Sequence, residues 1–232
     1  MRVISDGLPT GHVTSVNTGA VREVEWRDRV WRTGIFKTPV EGPVSIEGVR
    51  MVGDEQADLS VHGGPTKSIY AYPSEHYAFW RDELGSGQAG LLDTAGAFGE
   101  NLTTEGLLES EAGVGDLYRV GSALLRVTEP RMPCSKLGLR FRDPLMTRRF
   151  HEAGRNGIYF AIEEPGSVES GAEIALEARH PRRLTIRDMV EYVTGRDRDE
   201  EVRVRAATHP ALSPSWRERF TSPRPPSTPS AP

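Results

Sequence analysis

Glycine and proline break this chain at close intervals from about residue 12 to about residue 178, and the runs between the breaks are short and alternate in polarity. The sequence holds 24 glycines and 17 prolines in 232 residues. Long helices do not cross such punctuation, whereas short antiparallel strands joined by tight turns require it. Residues 12–16, 21–26, 30–36, 44–46, 68–72, 116–120, 123–128, 158–162 and 173–178 read as strands. Gly121-Ser122 fits a two-residue hairpin, and Asn156-Gly157 is a second turn signal. Two helices interrupt the pattern. Pro73 opens one, with Tyr77, Trp80 and Leu84 on its inner face, and Asp143-Pro144 caps another that reaches about Ala153 behind Met146 and Phe150. The expected class is mainly β (α+β). An apolar content of 37% is enough for one good core.

The composition shifts at His180-Pro181-Arg182-Arg183. Thr185 and Asp188 have capping-box spacing, and Ile186, Met189, Val190 and Val193 recur at helical intervals. Acidic residues 199–201 precede a second short helix ending near Ala207, and Ser213-Pro214 starts a third with Trp216 and Phe220 one turn apart. Three helices of this size make too small a core to stand alone. The expected organisation is a β body over 1–180, a docked three-helix appendage over 184–221, and a disordered Pro/Ser-rich tail over 222–232.

A single cysteine rules out an internal disulfide, a Cys-rich zinc site and a four-cysteine iron–sulfur cluster. No signal-peptide core and no membrane-length apolar run is visible, so a cytosolic (cytoplasmic) protein without a membrane partner is expected. The net charge of −4 argues against general nucleic-acid binding, although a local basic patch is compatible with it. Neither the glycine fingerprint of a dinucleotide fold nor a flavin motif is present.

Three polar knots remain. Cys134 follows a predicted strand on a segment stiffened by Pro130 and Pro133, between the cations Arg131 and Lys136. Nearby positive charge favours the thiolate, which is both nucleophile and soft metal ligand. The competing reading is a small buried hydrophobe. Gly63 and Gly64 let the backbone approach a ligand and Lys67 could meet a phosphate, but the P-loop spacing is missing and a plain tight turn competes. Asn101, Thr103 and Thr104 offer amide and hydroxyl groups for a polar ligand, or cap their own turn. His76 on the first helix has no second ligand one turn away and reads as structural or solvated.

Together the knots resemble the MOSC family, named for the C-terminal domain of molybdenum cofactor sulfurase. The matching stretches are Gly53-Asp54-Glu55-Gln56 with Val61-His62-Gly63-Gly64-Pro65, Tyr72-Pro73-Ser74-Glu75-His76-Tyr77, Phe98-Gly99-Glu100-Asn101-Leu102 and Pro130-Arg131-Met132-Pro133-Cys134-Ser135-Lys136-Leu137. The likeness is nearest to the YiiM-type hydroxylaminopurine-resistance proteins, which carry a C-terminal three-alpha domain. It implies a β-barrel holding a molybdenum–pterin cofactor, with Cys134 as the protein ligand to molybdenum. His62, Gly63, Gly64, Lys67, Asn101, Thr103, Arg131 and Lys136 are the matched positions expected at the cofactor. The implied reaction is reduction of an N-hydroxylated small molecule to its amine, a detoxification of base analogues. Electrons would come from a separate donor protein, since this chain lacks flavin and iron–sulfur sites. Glu100 is an alternative proton source. Two other functions stay open: a sulfur-transfer module with a persulfide on Cys134, and a cofactor carrier. A homodimer is an option the sequence leaves open.

Overall fold

The computed structural model describes residues 3–4, 9–57 and 63–221. His62 and the tail over 222–232 lie outside the described residues. Strands run as β1 (Val3–Ile4), β2 (Pro9–Thr18), β3 (Arg22–Trp26), β4 (Arg29–Thr33), β5 (Thr38–Pro39), β6 (Val44–Glu47) and β7 (Arg50–Met51). They continue as β8 (Ile69–Pro73), β9 (Leu102–Glu105), β10 (Leu117–Val120), β11 (Ala123–Pro130), β12 (Ile158–Glu164), β13 (Gly166–Val168) and β14 (Glu173–Arg179). The helices are α1 (Glu75–Leu84), α2 (Ser86–Ala89), α3 (Ser135–Phe141), α4 (Met146–Ala153), α5 (Ile186–Thr194), α6 (Glu200–Ala207) and α7 (Pro214–Glu218).

Seven strands close into a barrel in the order β14, β10, β11, β12, β8, β9 and β2, and β2 pairs back onto β14. The mainly β class expected from the punctuation is what forms. All pairs around the ring are antiparallel except β8 with β9. A parallel pair needs a long crossover, and residues 74–101, which carry α1 and α2, supply it. β3 and β4 form a separate two-stranded hairpin outside the barrel sheet.

Side-chain alternation along β8 divides the interior in two. Ile69 and Ala71 join Val13, Val16, Leu125, Val127, Ile158 and Phe160 inside the barrel. Tyr70 and Tyr72 point the other way, into a second cluster with Tyr77 and Trp80 of α1, Phe98, Leu137 and Phe141 of α3, and Phe150 of α4. β8 is therefore buried on both faces. The C-terminal helices share the barrel's own core: Met189, Val190, Val202, Trp216 and Phe220 belong to the inner cluster. Backbone bonds from Val114 N–H to Leu184 O (2.8 Å) and from Ile186 N–H to Ala112 O (2.9 Å) tie the junction down. The Thr185–Asp188 capping box is formed at the start of α5.

Four local expectations shift. Pro73 closes β8 instead of opening a helix, because it sits in register with Thr104 and Ser74 N–H continues the pairing to Thr104 O (2.7 Å). α4 begins at Met146, after Asp143 Oδ1 has accepted the Leu145 N–H (2.8 Å). β4 stops at Thr33, so residues 34–36 leave the ladder. Residues 135–141, to which the sequence pattern assigns no element, form α3. A helix of two turns has little stability of its own; burial of Leu137 and Phe141 in the outer cluster fixes it. Among the described residues no helix is long and apolar enough to cross a membrane.

Candidate functional site

A cleft of about 600 Å³, counting the open space at its mouth, lies against the outer face of β8 and β12. Tyr70, Tyr159 and Phe98 give it aromatic walls, and the segments 33–37 and 54–57 form its rim. Cys134, half-buried, lines it. Cys134 occupies the N-cap position of α3 in an extended conformation. Its carbonyl accepts from Leu137 N–H (2.9 Å) and from Thr147 Oγ1 (3.2 Å), which fixes the segment bearing the thiol.

The chain contains three lysines. All of them, Lys37, Lys67 and Lys136, line this cleft, together with Arg131. Lys67 ends a short 3-10 turn over Pro65–Lys67. Thr128 Oγ1 lies 2.6 Å from Thr66 O, and Gln56 Nε2 donates to Lys67 O (3.2 Å). The Lys67 ammonium stands 3.5 Å from Glu129 Oε1. Burial pushes the Glu129 carboxyl above its ordinary value, and Lys67 opposes that shift.

Arg131 is buried, with its guanidinium over the rings of Tyr70 (5.2 Å) and Phe150 (5.1 Å). Asn156, fully buried in the turn before β12, donates from Nδ2 to Arg131 O (2.7 Å), and its own carbonyl accepts from Tyr70 Oη (2.9 Å). Arg131 Nη1 is buried and, among the described residues, has no hydrogen-bond partner. Burial pushes the neighbouring Tyr159 phenol up to about 12, with Arg131 pulling it back.

Lys37 and Asp54 form a buried ion pair on one wall. Asp54 also accepts from Gly19 N–H (3.0 Å) and from Asn101 Nδ2 (2.9 Å), while Asn101 Oδ1 accepts from Tyr70 N–H (3.1 Å). Burial draws the Lys37 ammonium below its ordinary value, and Asp54 acts against that. Asn101 is thus locked between Asp54 and the backbones of β8 and β2, where Asn101 N–H donates to Tyr70 O (2.8 Å) and Asn17 N–H to Asn101 O (2.7 Å), and it lines the cleft.

Five of the residues singled out in the sequence meet here: Cys134, Lys67, Asn101, Arg131 and Lys136. Gly63 and Gly64 do not line the cleft; Gly64, at φ 89°, turns the chain into the segment that delivers Lys67. Thr103 lies one layer back, accepting from Asn17 Nδ2 (3.1 Å) and donating to Glu100 Oε1 (3.1 Å). Glu100 is fully buried and accepts from Tyr77 Oη, Gly96 N–H and Phe98 N–H, so it anchors the Phe98 loop and is not in the cleft lining. His76 is buried with Nε2 2.9 Å from Glu109 Oε2 and lies outside the cleft. Among the described residues no three His, Cys, Asp or Glu side chains gather to hold a metal ion. Lys37 escaped the sequence reading, and Asp54 stands in a matched stretch without being placed at the cofactor. Lysine scarcity was the available signal: a chain that otherwise uses arginine keeps its three lysines for one place.

The MOSC domain profile matches residues 58–175. The YflK protein of Bacillus subtilis (strain 168) is 36% identical over 210 residues, 90% of this chain and 92% of that protein. A crystal structure of YiiM from Geobacillus stearothermophilus superposes with a TM-score of 0.70 at 34% identity, covering 90% of this chain and 97% of that one. A protein of Gibberella moniliformis named "Reductase" is 34% identical over 178 residues, which are 75% of this chain but 31% of that protein.

Proposed function

This chain belongs to the MOSC domain family, and on that premise we propose that its cleft holds a molybdenum–pterin cofactor and that the protein reduces N-hydroxylated compounds, hydroxylaminopurines among them, to amines. One observation carries the reading: a half-buried cysteine shares a cleft with every lysine of the chain and with a buried arginine whose Nη1 has no partner among the described residues. That donor set fits the group. A phosphate dianion requires cations and N–H donors, and leaving a buried guanidinium nitrogen unsatisfied is costly. The aromatic walls suit a flat heterocycle, and a thiolate suits a high-valent metal that brings sulfur ligands of its own.

When bound, the cofactor supplies the two-electron chemistry. Cys134 would be the protein ligand, Lys67, Lys136 and Arg131 would balance negative charge, and Asn101 would orient the ring edge. The overall reaction is R–NHOH + 2e⁻ + 2H⁺ → R–NH₂ + H₂O. Lys37, buried against Asp54 in the cleft lining, would hold an exchangeable proton on Nζ for that reaction.

The test compares wild type with Cys134→Ser, each made in a host that synthesises the cofactor and each with its molybdenum content measured. Replacing a soft thiolate by a hydroxyl alters the metal's electronics more than its retention. Reduction of a hydroxylamino purine per molybdenum should fall to background in the variant while much of the molybdenum stays. Equal turnover per molybdenum would reject Cys134 as ligand. A cyanide-labile sulfur on wild-type Cys134, with no dependence on molybdenum, would point to sulfur transfer instead.

A further inference from the structure

Lys67 reaches the cleft with a carboxylate beside it. Glu129 Oε1 stands 3.5 Å from the Lys67 ammonium, and Glu129 is buried while Lys67 is part-exposed. A negative charge that close to a cation weakens the cation's pull on any anion that enters, because the two fields overlap with opposite sign. For a lysine that is to hold a phosphate, such a neighbour is a handicap unless another group takes up its charge. The fold nevertheless places the acid with care. The pairing of β11 with β12 is irregular between Val127 and Glu129, and a bulge of that kind re-aims the side chain next to it. Thr128, at the irregularity, ties the same place to the turn that carries Lys67: its Oγ1 lies 2.6 Å from Thr66 O and 2.9 Å from Tyr159 O.

Glu129 also meets the C-terminal helices. Burial pushes its carboxyl up, and Lys67, the indole of Trp216 and, last, the guanidinium of Arg219 pull it down. An indole has one polar group, an N–H that can only donate, so it is the Nε1–H of Trp216 that faces the acid. Trp216 is buried in α7, where Ser213 Oγ accepts from its backbone N–H (3.4 Å). Arg219, exposed, lies over the Trp216 ring (4.8 Å), and Arg203 of α6 holds the end of the helix by donating to Phe220 O (3.0 Å). The residues that lead into α7, Pro210 to Ser213, share a surface crevice with Thr66. Two separate contacts, one at Glu129 and one beside Thr66, thus bring the last helix to the pair that presents Lys67.

We propose that Trp216 is a positioning residue for the cleft: by donating to Glu129 it takes up part of the acid's charge, so that the acid fixes the Lys67 ammonium in place and leaves its field for the anionic end of the ligand. The inference rests on the reading that the cleft holds a phosphate-bearing cofactor. It gives the C-terminal helices a role at a site that none of their residues lines.

The test uses the full chain, the variants Trp216→Phe, Arg219→Gln, Glu129→Gln and Glu129→Gln/Trp216→Phe, and the control Arg217→Gln on the same helix. Two quantities are measured. The first is the affinity of cofactor-free protein for inorganic phosphate, by calorimetry at about 150 mM salt, where charges more than about 8 Å apart are largely screened. The second is the half-life of molybdenum on protein made in a cofactor-producing host, followed by gel filtration at intervals. Trp216→Phe keeps a ring in the core and removes the donor to a charged group, so it should weaken phosphate about fivefold and shorten the half-life by a similar factor. Arg219→Gln, on the surface, should act in the same direction by about twofold. Glu129→Gln should bind phosphate more tightly than wild type, and adding Trp216→Phe to it should change nothing, because the two residues act as one pair. Arg217→Gln should match wild type. An equal loss from Trp216→Phe with and without Glu129 makes Trp216 a packing residue only and overturns the proposal. Weaker phosphate binding in Glu129→Gln, or no phosphate binding by wild type, also overturns it. The expected phosphate series in a chain that never acquires molybdenum leaves the Trp216–Glu129–Lys67 link standing and rejects the cofactor reading. Molybdenum held equally by every variant, with a flat phosphate series, overturns the link and leaves the cofactor reading standing.

Discussion

Arg131 is the cation with the least freedom around Cys134: its stem is buried, its guanidinium is over two rings, and Asn156 grips its carbonyl. Arg131→Met keeps the stem and removes the charge. A desolvated cation–π contact is worth about 2 kcal/mol, so the melting temperature should fall by about 4–8 °C for a domain of this size. Cofactor retention, read as molybdenum per protein after gel filtration, should fall far more than that stability loss explains. Unchanged molybdenum content would mean other donors hold the phosphate. Lys67→Ala separates charge from packing. Lys67 is part-exposed but its partner Glu129 is buried, so losing the ammonium leaves a buried carboxyl without its cation and should cost about 1–3 kcal/mol of stability, while molybdenum retention should drop by more than that loss explains. Cys134, Lys67 and Arg131 were legible in the sequence because each sits in a polar knot beside turn residues. Lys37 was not, since it closes a run that reads as an ordinary strand, and its partner Asp54 is brought to it by folding.

Gly138 shows how an element can depend on one missing carbon. A Cβ there would meet Asp143 O at 2.9 Å as well as the Trp26 ring at 3.0 Å, and neither the backbone nor a packed indole gives way cheaply. Gly138→Ala should destabilise by about 1–3 kcal/mol despite alanine's better helix propensity, measured as a lower urea midpoint with an unchanged slope. A neutral or stabilising effect would show that the hairpin does not press on α3. Strands were legible from alternation because half-buried strands carry their period in the sequence. α3 was hidden for the opposite reason: two turns flanked by prolines, with a glycine at the contact point, carry too few residues to declare a period. The capping box of α5 was legible because both partners, Thr185 and Asp188, are local.

The way the C-terminal helices meet the barrel gives the molecule a pH-dependent seam. His209 is fully buried; its Nε2 donates to Arg182 O (2.8 Å) and its Nδ1 accepts from Ala211 N–H (3.3 Å), an arrangement that holds the neutral imidazole. Burial lowers its proton affinity, and His180, Arg182 and Arg205 lower it further against the pull of the Arg182 carbonyl. A histidine depressed in the folded state adds stability above its unfolded value near 6.5, and that stability is lost as the unfolded chain takes up the proton below it. The urea midpoint of wild type should therefore fall more steeply between pH 7.5 and pH 5, roughly the histidine range, than that of His209→Gln; parallel curves would show that His209 does not report on the seam. The barrel has one further property, which concerns its making. The ring closes only when β14 pairs with β2, through contacts such as Glu173 with His12 and Gly171 N–H to Val13 O (2.7 Å). Every cleft residue, the last being Tyr159, leaves the ribosome before that strand does. A nascent chain thus carries its complete set of cofactor-facing residues on an open sheet with unpaired edges, and a message truncated before residue 173 should yield aggregated protein and never a partly loaded one.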